Sequence, residues 1–327
     1  MTRPREAGVL WVLAASVLWG TTGTAAAQAP LVSPLALGAA AMGLGGLLRA
    51  ATARRAVLAH RTGLRHQWLT LAVSACAVGV YPLAFYSSMR LAGVAVGTVV
   101  SIGSAPTAAA LVEGLVDHQP LSRRWTLGAT VGVVGVVALA AGQAGPAGPA
   151  SGEAHRLLGI LLALLAGMTY AIYSWGATRI MRSGVSPDSV MGAVFGLGGL
   201  LLLPVLLDTA APILHSVHSL AVAAYIAVIP MFLGYVLFGR GLAATSASTA
   251  TAVSLLEPAV ATVLALLVLR ERLALVAWAG MAAIAVSLLI LTFPPPRRAR
   301  KPSAPSGPAG ANRQGETAPA AITTNRS

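Results

Sequence analysis

The chain has 327 residues, of which 56% are hydrophobic and 9% charged, with one cysteine and a formal net charge of +13. That composition excludes a water-soluble globule, in which about a quarter of residues are charged, and a lone Cys76 excludes an intrachain disulfide or thiolate metal centre. The positive charge falls in short segments between apolar runs, where it reports membrane topology and contact with anionic headgroups, so no nucleic acid is expected as a partner.

A helical bilayer crossing needs about 20 apolar residues, and ten such runs are predicted in chain order. The first, 8–28, follows Arg3 and Arg5 and ends in Ala27-Gln28-Ala29, which mimics a cleavable secretory signal. It is read as a retained span, because the repeat described below requires it. Runs 31–50, 67–89, 93–114 and 124–142 follow, the third carrying Cys76. Residues 143–156 form a Gly/Pro/Ser-rich linker loop. Five more runs lie at 157–178, 188–207, 219–239, 245–269 and 273–293, and residues 294–327 form a Pro- and charge-rich cytoplasmic tail expected to be disordered. The expected fold is an all-α integral membrane bundle of ten transmembrane helices.

With the N-terminus inside, only Arg90, Arg156, Arg270 and Arg272 lie outside, and every other Lys and Arg lies on the inner face. That asymmetry predicts a multi-pass protein of the plasma (inner) membrane with both termini cytoplasmic. Gly128 to Gly132 and Gly192 to Gly196 are small-xxx-small spacings that let helices approach within one chain, with homodimerisation as a second reading. Pro82, Pro106, Pro230 and Pro258 remove backbone hydrogen bonds inside spans and are the expected hinges.

Pro82 to Leu121 aligns with Gly234 to Leu273, placing Pro106 on Pro258 and Gly128 on Gly280, while Gly8 falls on Gly159. The chain is therefore read as two five-span repeats, 1–142 and 157–293. An odd number of crossings forces the copies into opposite senses, which makes an inverted repeat. Such a pair can open a central site to one side at a time.

Glu257 is the acid buried deepest in an apolar stretch. An ionisable group at membrane depth costs roughly 2.5 to 3.5 kcal/mol, so it usually meets a cavity, a partner or a solute path. Low dielectric favours neutralising the carboxyl, which makes a proton usable as a coupling ion. The competing reading is a structural carboxyl bonded to the backbone that Pro258 frees. Helical spacing places Ser246, Thr249, Ser254 and Glu257 on one face of the ninth span, opposite Thr98 and Ser101 of the fourth. These hydroxyls are read either as ligands or as packing contacts. Trp19, Tyr170 and Tyr173 add flat apolar surface suited to a solute pocket, whereas Tyr86 and Tyr235 are read as interface anchors. Arg240 is expected to snorkel to the interface, with attraction of an anionic substrate as the second reading. Glu113 and Asp117 are read as a solvated helix end able to pair with Arg123 or Arg124.

Leu256-Glu257-Pro258 followed by Glu271-Arg272-Leu273, together with Leu18-Trp19-Gly20-Thr21 in the first span, resembles EamA-type transporters of the drug/metabolite transporter superfamily. The resemblance covers about residues 8–293. It implies a secondary transporter exporting small organic metabolites or drugs. The first half departs from the pattern at Asp117-His118-Gln119-Pro120-Leu121.

An enzyme is not expected. All histidines lie in loops or at span edges, and Lys301, in the tail, is the only lysine, so no Walker lysine is available. No cofactor or metal is called for. The partners expected are a small-molecule substrate, protons and the lipid bilayer. A passive channel or a non-transporting membrane scaffold are the alternatives.

Overall fold

The computed structural model describes residues 4–92, 94–141, 153–268 and 274–292. The tail 294–327, the Glu271-Arg272-Leu273 motif and most of the predicted linker lie outside them. The described residues form helices and contain no strand. In order these are α1 (Pro4–Ala26), α2 (Pro34–Ala59), α3 (Arg61–His66), α4 (Trp68–Ala92), α5 (Val94–Val116), α6 (Arg123–Ala141) and α7 (Glu153–Arg182). There follow α8 (Pro187–Thr209), α9 (Ala211–Leu214), α10 (Val217–Ile226), a wide π-helical turn (Ala227–Leu233), α11 (Gly234–Leu242), α12 (Ala247–Val253), α13 (Leu256–Val268) and α14 (Leu275–Thr292).

Eight segments are long and apolar enough to cross a membrane, counting α10 through α11 as one and α12 with α13 as another. The other two predicted spans correspond to α6, which opens on Arg123 and Arg124, and to the shorter apolar stretch Leu275–Leu291.

Local sequence starts the helices at matching places. Ser33-Pro34 opens α2 and Ser186-Pro187 opens α8, with each serine extended (ψ 144° in both) and its hydroxyl accepting the amide three residues on. Proline fits the first helical position because its missing N–H would be orphaned there anyway.

Packing follows membrane rules, with small residues inside and large apolar ones outside. On α8, Gly192, Gly196, Gly198 and Gly199 are buried while Leu197, Leu200, Leu201 and Leu207 are exposed. Lipid is as apolar as leucine, so helices associate where backbones can come close. A Cβ on Gly46 would stand 2.3 Å from the Phe195 carbonyl oxygen, and one on Gly199 would stand 2.7 Å from the Gly43 oxygen. Gly192 and Gly196 face Ala53 and Ala50 of α2, and Gly128 and Gly132 face α14, whose Ser287 hydroxyl donates to the Gly128 carbonyl at 2.7 Å. Both small-residue spacings are thus occupied within the chain.

The contacts between halves come in exchangeable sets. α2 lies on α8, α6 on α14 and α5 on α12. α4 meets α7 as α1 meets α11, α5 meets α7 as α1 meets α13, and α4 meets α8 as α2 meets the π-helical turn. Exchanging the first five predicted spans with the last five maps the first three of these contacts onto themselves and each of the other six onto its counterpart.

Candidate functional site

The site is built around a break in the ninth predicted span. Ser246 caps α12, its hydroxyl accepting from the Thr249 amide at 3.2 Å, and the Glu113 carboxylate of α5 accepts the Ala247 amide at 2.8 Å. After seven residues α12 stops. Pro258 has no N–H, so the Ser254 carbonyl four residues before it would lack an intrahelical donor. The Glu257 amide supplies one at 2.9 Å, in a tighter turn, and α13 restarts from Leu256. The backbone freed by proline is therefore satisfied by backbone. The Glu257 carboxyl makes no hydrogen bond with any described residue, and it faces a cavity.

That cavity has a volume of about 650 Å³. Its wall begins at the end of α1 and the α1–α2 loop, where Ala27, Ala29 and Pro30 line it, and runs inward to Tyr170, Tyr173, Tyr235 and Glu257. Aromatic rings form the deep part. Tyr170 and Tyr173 stack 5.2 Å apart at 24°, Tyr81 meets them edge-on at 5.9 and 6.1 Å, and Trp19 lies 5.0 Å from Tyr235. Some of their polar tips are already engaged. The Tyr170 hydroxyl donates to Ser254 Oγ at 2.9 Å, and the Tyr173 and Tyr235 hydroxyls share a hydrogen bond at 3.2 Å. Two buried polar atoms of the wall, Trp19 Nε1 and Thr22 Oγ1, have no partner among the described residues. Glu257 is the only carboxylate there, and no Lys, Arg or His lines the cavity among the described residues.

Of the residues expected from sequence, the structure brings Glu257, Trp19, Tyr170, Tyr173, Thr98, Pro82 and Pro258 into this wall. Ser246, Thr249, Ser254, Ser101, Arg240, Pro106 and Pro230 are not in it. The expected continuous face from Ser246 to Glu257 does not form, because the break after Val253 rotates the acid away from the α12 hydroxyls. Ser246 and Thr249 serve the cap instead, while Ser254 positions Tyr170 and bonds back to the Thr251 carbonyl at 2.8 Å. Ser101 is 1% exposed and buried against the bundle. Arg240 is exposed at the end of α11, its guanidinium 5.3 Å from the Trp11 ring centroid. Pro106 lies inside an unbroken α5 and Pro230 within the π-helical turn.

Three expectations are corrected. Tyr86 and Tyr235 line the cavity rather than anchoring at an interface. Glu113 is 3% exposed, so it is no solvated helix end. Asp117 accepts from Trp175 Nε1 at 2.9 Å and Arg179 Nη1 at 2.5 Å, with Arg182 at 3.8 Å, so it joins the end of α5 to α7. Arg49, expected on the inner face, is 4% exposed within α2 and pairs with Asp188 of α8 at 2.5 Å.

Tyr81 and Thr22 are wall residues that sequence reasoning missed. Thr22 lies three residues beyond Trp19, so helical spacing could have found it. Tyr81 directly precedes the expected hinge Pro82.

The polar ties Arg49–Asp188, Asp117–Arg179 and Glu113–Ala247 all join the two halves near the helix ends remote from the α1–α2 loop. The cavity therefore reaches one end of the bundle, and these ties hold the other.

The EamA-like transporter family matches this chain twice, over residues 6–141 and 157–293. A Bacillus subtilis (strain 168) protein named as the uncharacterized transporter YwfM is 30% identical over 289 residues, covering 88% of this chain and 94% of that protein. An uncharacterized transporter of Clostridium kluyveri is 31% identical over 142 residues, covering 42% of this chain and 45% of its own length. A solved crystal structure superposes with a TM-score of 0.71 at 21% identity, covering 87% of this chain and 96% of the other, which shows a shared fold.

Proposed function

From the premise that this chain belongs to the EamA-like transporter family, we propose that it is a secondary active transporter that moves a small organic solute through the Glu257 cavity by alternating access. The relatives' names and the family point to a membrane transporter and away from an enzyme. In the reading proposed here, ten spans form two inverted five-span halves, residues 1–142 and 157–293, with both termini cytoplasmic in the plasma membrane. The two family matches and the exchangeable contacts between halves support that duplication.

The observation that carries the proposal is a deep cavity that ends at an unpaired carboxyl, with ion pairs between the halves on its far side. A bundle in this arrangement presents its site to one side, and an inverted partner arrangement presents it to the other. Breaking the Arg49–Asp188 and Asp117–Arg179 ties while closing the wall around the α1–α2 loop is the motion that interconverts them. Glu257 exchanges a proton against solute, since one carboxyl in low dielectric is stabilised by either a proton or a bound partner but not readily by water. The direction is export.

The test is reconstitution of the full chain in proteoliposomes, with candidate solutes taken from an untargeted comparison of metabolites inside and outside cells with and without the protein. Saturable counterflow and flux driven by a pH gradient are expected. Non-saturable flux identifies a channel, and no flux of any solute identifies a scaffold; either result ends the proposal.

A further inference from the structure

We infer that the cavity selects a monocationic organic amine with an apolar body, the charge held by Glu257 within the tyrosine and tryptophan rings. This deepens the transporter reading above and rests on it.

Charge is the first argument. Glu257 is the single carboxylate of the wall, and the described lining residues include no Lys, Arg or His. An anionic solute would meet an acid with nothing to offset it. A zwitterion would pair its ammonium and leave its carboxylate with only neutral donors, at a desolvation cost the site does not repay. A single cation meets its counter-charge and leaves no charge over.

Ring geometry is the second. Among the wall rings Tyr81, Phe85 and Tyr86 are only partly buried and keep ring surface open, while Tyr170 and Tyr173, 3% and 1% exposed, stack on each other and meet Tyr81 edge-on at 5.9 and 6.1 Å. The Tyr170 hydroxyl is engaged with Ser254 and the Tyr173 hydroxyl with Tyr235, so these two rings brace the wall while the partly buried Tyr81, Phe85 and Tyr86 supply its open π surface. Electron-rich ring faces attract a cation, and more strongly when water is excluded. A bare inorganic cation would be served poorly, because it needs several oxygen ligands, and a space of about 650 Å³ suits an organic body.

One of the two unpaired polar atoms refines the class. Trp19 is 5% exposed and its indole nitrogen, without a partner among the described residues, lies against Gly234 of α11, so it is not counted as a donor to the solute. Thr22 Oγ1, a wall atom also without a partner among the described residues, can accept from the ammonium or donate to a hydroxyl or carbonyl oxygen on the body of the amine.

The test uses four probes that share one ring and differ in charge: 2-phenylethylamine, phenylalanine, phenylacetate and 2-phenylethanol. Equilibrium binding is measured to the full chain in lipid nanodiscs. The amine should bind about tenfold or more tighter than each of the others, about 1.4 kcal/mol or more. Glu257→Gln should remove that preference, and Glu257→Asp should retain part of it. Equal or tighter binding of the zwitterion, anion or alcohol overturns the inference, as does failure of the amine to bind or its undiminished binding to Glu257→Gln. The ranking on the unaltered chain decides the class even where a variant fails to fold. Binding needs no flux, so selective binding without counterflow of any solute would sink the transporter reading alone. Counterflow of a solute that is not a cation would sink only the inference.

Discussion

The fourth and ninth predicted spans start from the same template and end differently. Pro106 and Pro258 occupy equivalent positions, yet α5 runs unbroken from Val94 to Val116 while the ninth span divides into α12 and α13. The residue before the first proline is Ala105, fully buried, and the residue before the second is Glu257, facing the cavity. α5 is pressed against α7 at this level, where a Cβ on Gly167 would stand 2.6 Å from the Ser101 carbonyl oxygen. A helix packed that closely has no space in which to break. The other end of α5 does a different job, as Glu113 caps α12 and Asp117 ties down α7. The first of the two family-matched regions thus supplies Glu113 and Asp117 to contacts between helices, and the second supplies the acid that faces the cavity.

The largest test of this division concerns the acid. Glu257→Gln should abolish proton-gradient-driven flux in proteoliposomes with normal membrane insertion, and unchanged flux would end the coupling role. Adding Ala105→Glu to that variant should not restore transport. It should instead lower stability by about 3 kcal/mol, because it buries a carboxyl without a cavity to face; recovery of flux would show the two halves to be interchangeable.

Next comes the packing that both halves share. Gly46→Ala should destabilise by about 1–3 kcal/mol, since its Cβ would collide with the Phe195 carbonyl oxygen 2.3 Å away. Gly23→Ala, with nothing within 4 Å of the added atom, should be neutral or stabilising by up to about 1 kcal/mol. Thermal unfolding in detergent separates them, and equal shifts would refute the close α2–α8 approach.

A smaller effect is expected at the closing ties. Asp117→Asn weakens the contacts to Arg179 and Arg182, the former 43% exposed, so about 1 kcal/mol or less is at stake. On the proposed alternating-access reading, a change of that size would shift the balance of access several-fold. Labelling of cysteines introduced where the end of α5 meets the end of α7, beside Asp117 and Arg179, should rise, and no change would argue against these ties as a gate. The smallest effect belongs to Tyr170→Phe, which removes one interhelical hydrogen bond to Ser254 at 2.9 Å and should cost about 0.6 kcal/mol of thermal stability. A much larger loss would mean that Ser254 holds the break itself open.

The helices were legible because their signals are local. Apolar run length placed the predicted spans on the helices, although α2 continues to Ala59, past the expected end at residue 50, and Ser33-Pro34 and Ser186-Pro187 mark helix starts directly. Glu257, Trp19, Tyr170 and Tyr173 stood out because each is unusual for its depth or size in an apolar run. The hydroxyl face from Ser246 through Ser254 misled, because periodicity assumes an unbroken helix and Pro258 invalidates that assumption one turn earlier than the proline itself. Tyr235 and Tyr86 were misplaced because position along a span does not say what the residue faces; for Tyr235 the π-helical turn around Pro230 in its own span changes the helical register just before it. Asp117 found its partners on α7, far along the chain, where no local rule could point.

By itself the sequence determined that this is a helical membrane protein built on a repeated pattern, with one acid placed where lipid would penalise it. Run length, small-residue spacing and capping serine-prolines depend only on neighbours a few positions away, and a linear chain displays those. Tertiary structure alone decided that the acid faces a cavity, that its wall is aromatic and free of described basic side chains, and that charged ties collect at one end. Those properties depend on which helices stand side by side and on how far each one bends. Both are set by backbone contacts such as Gly46 against Phe195, made between residues distant in sequence.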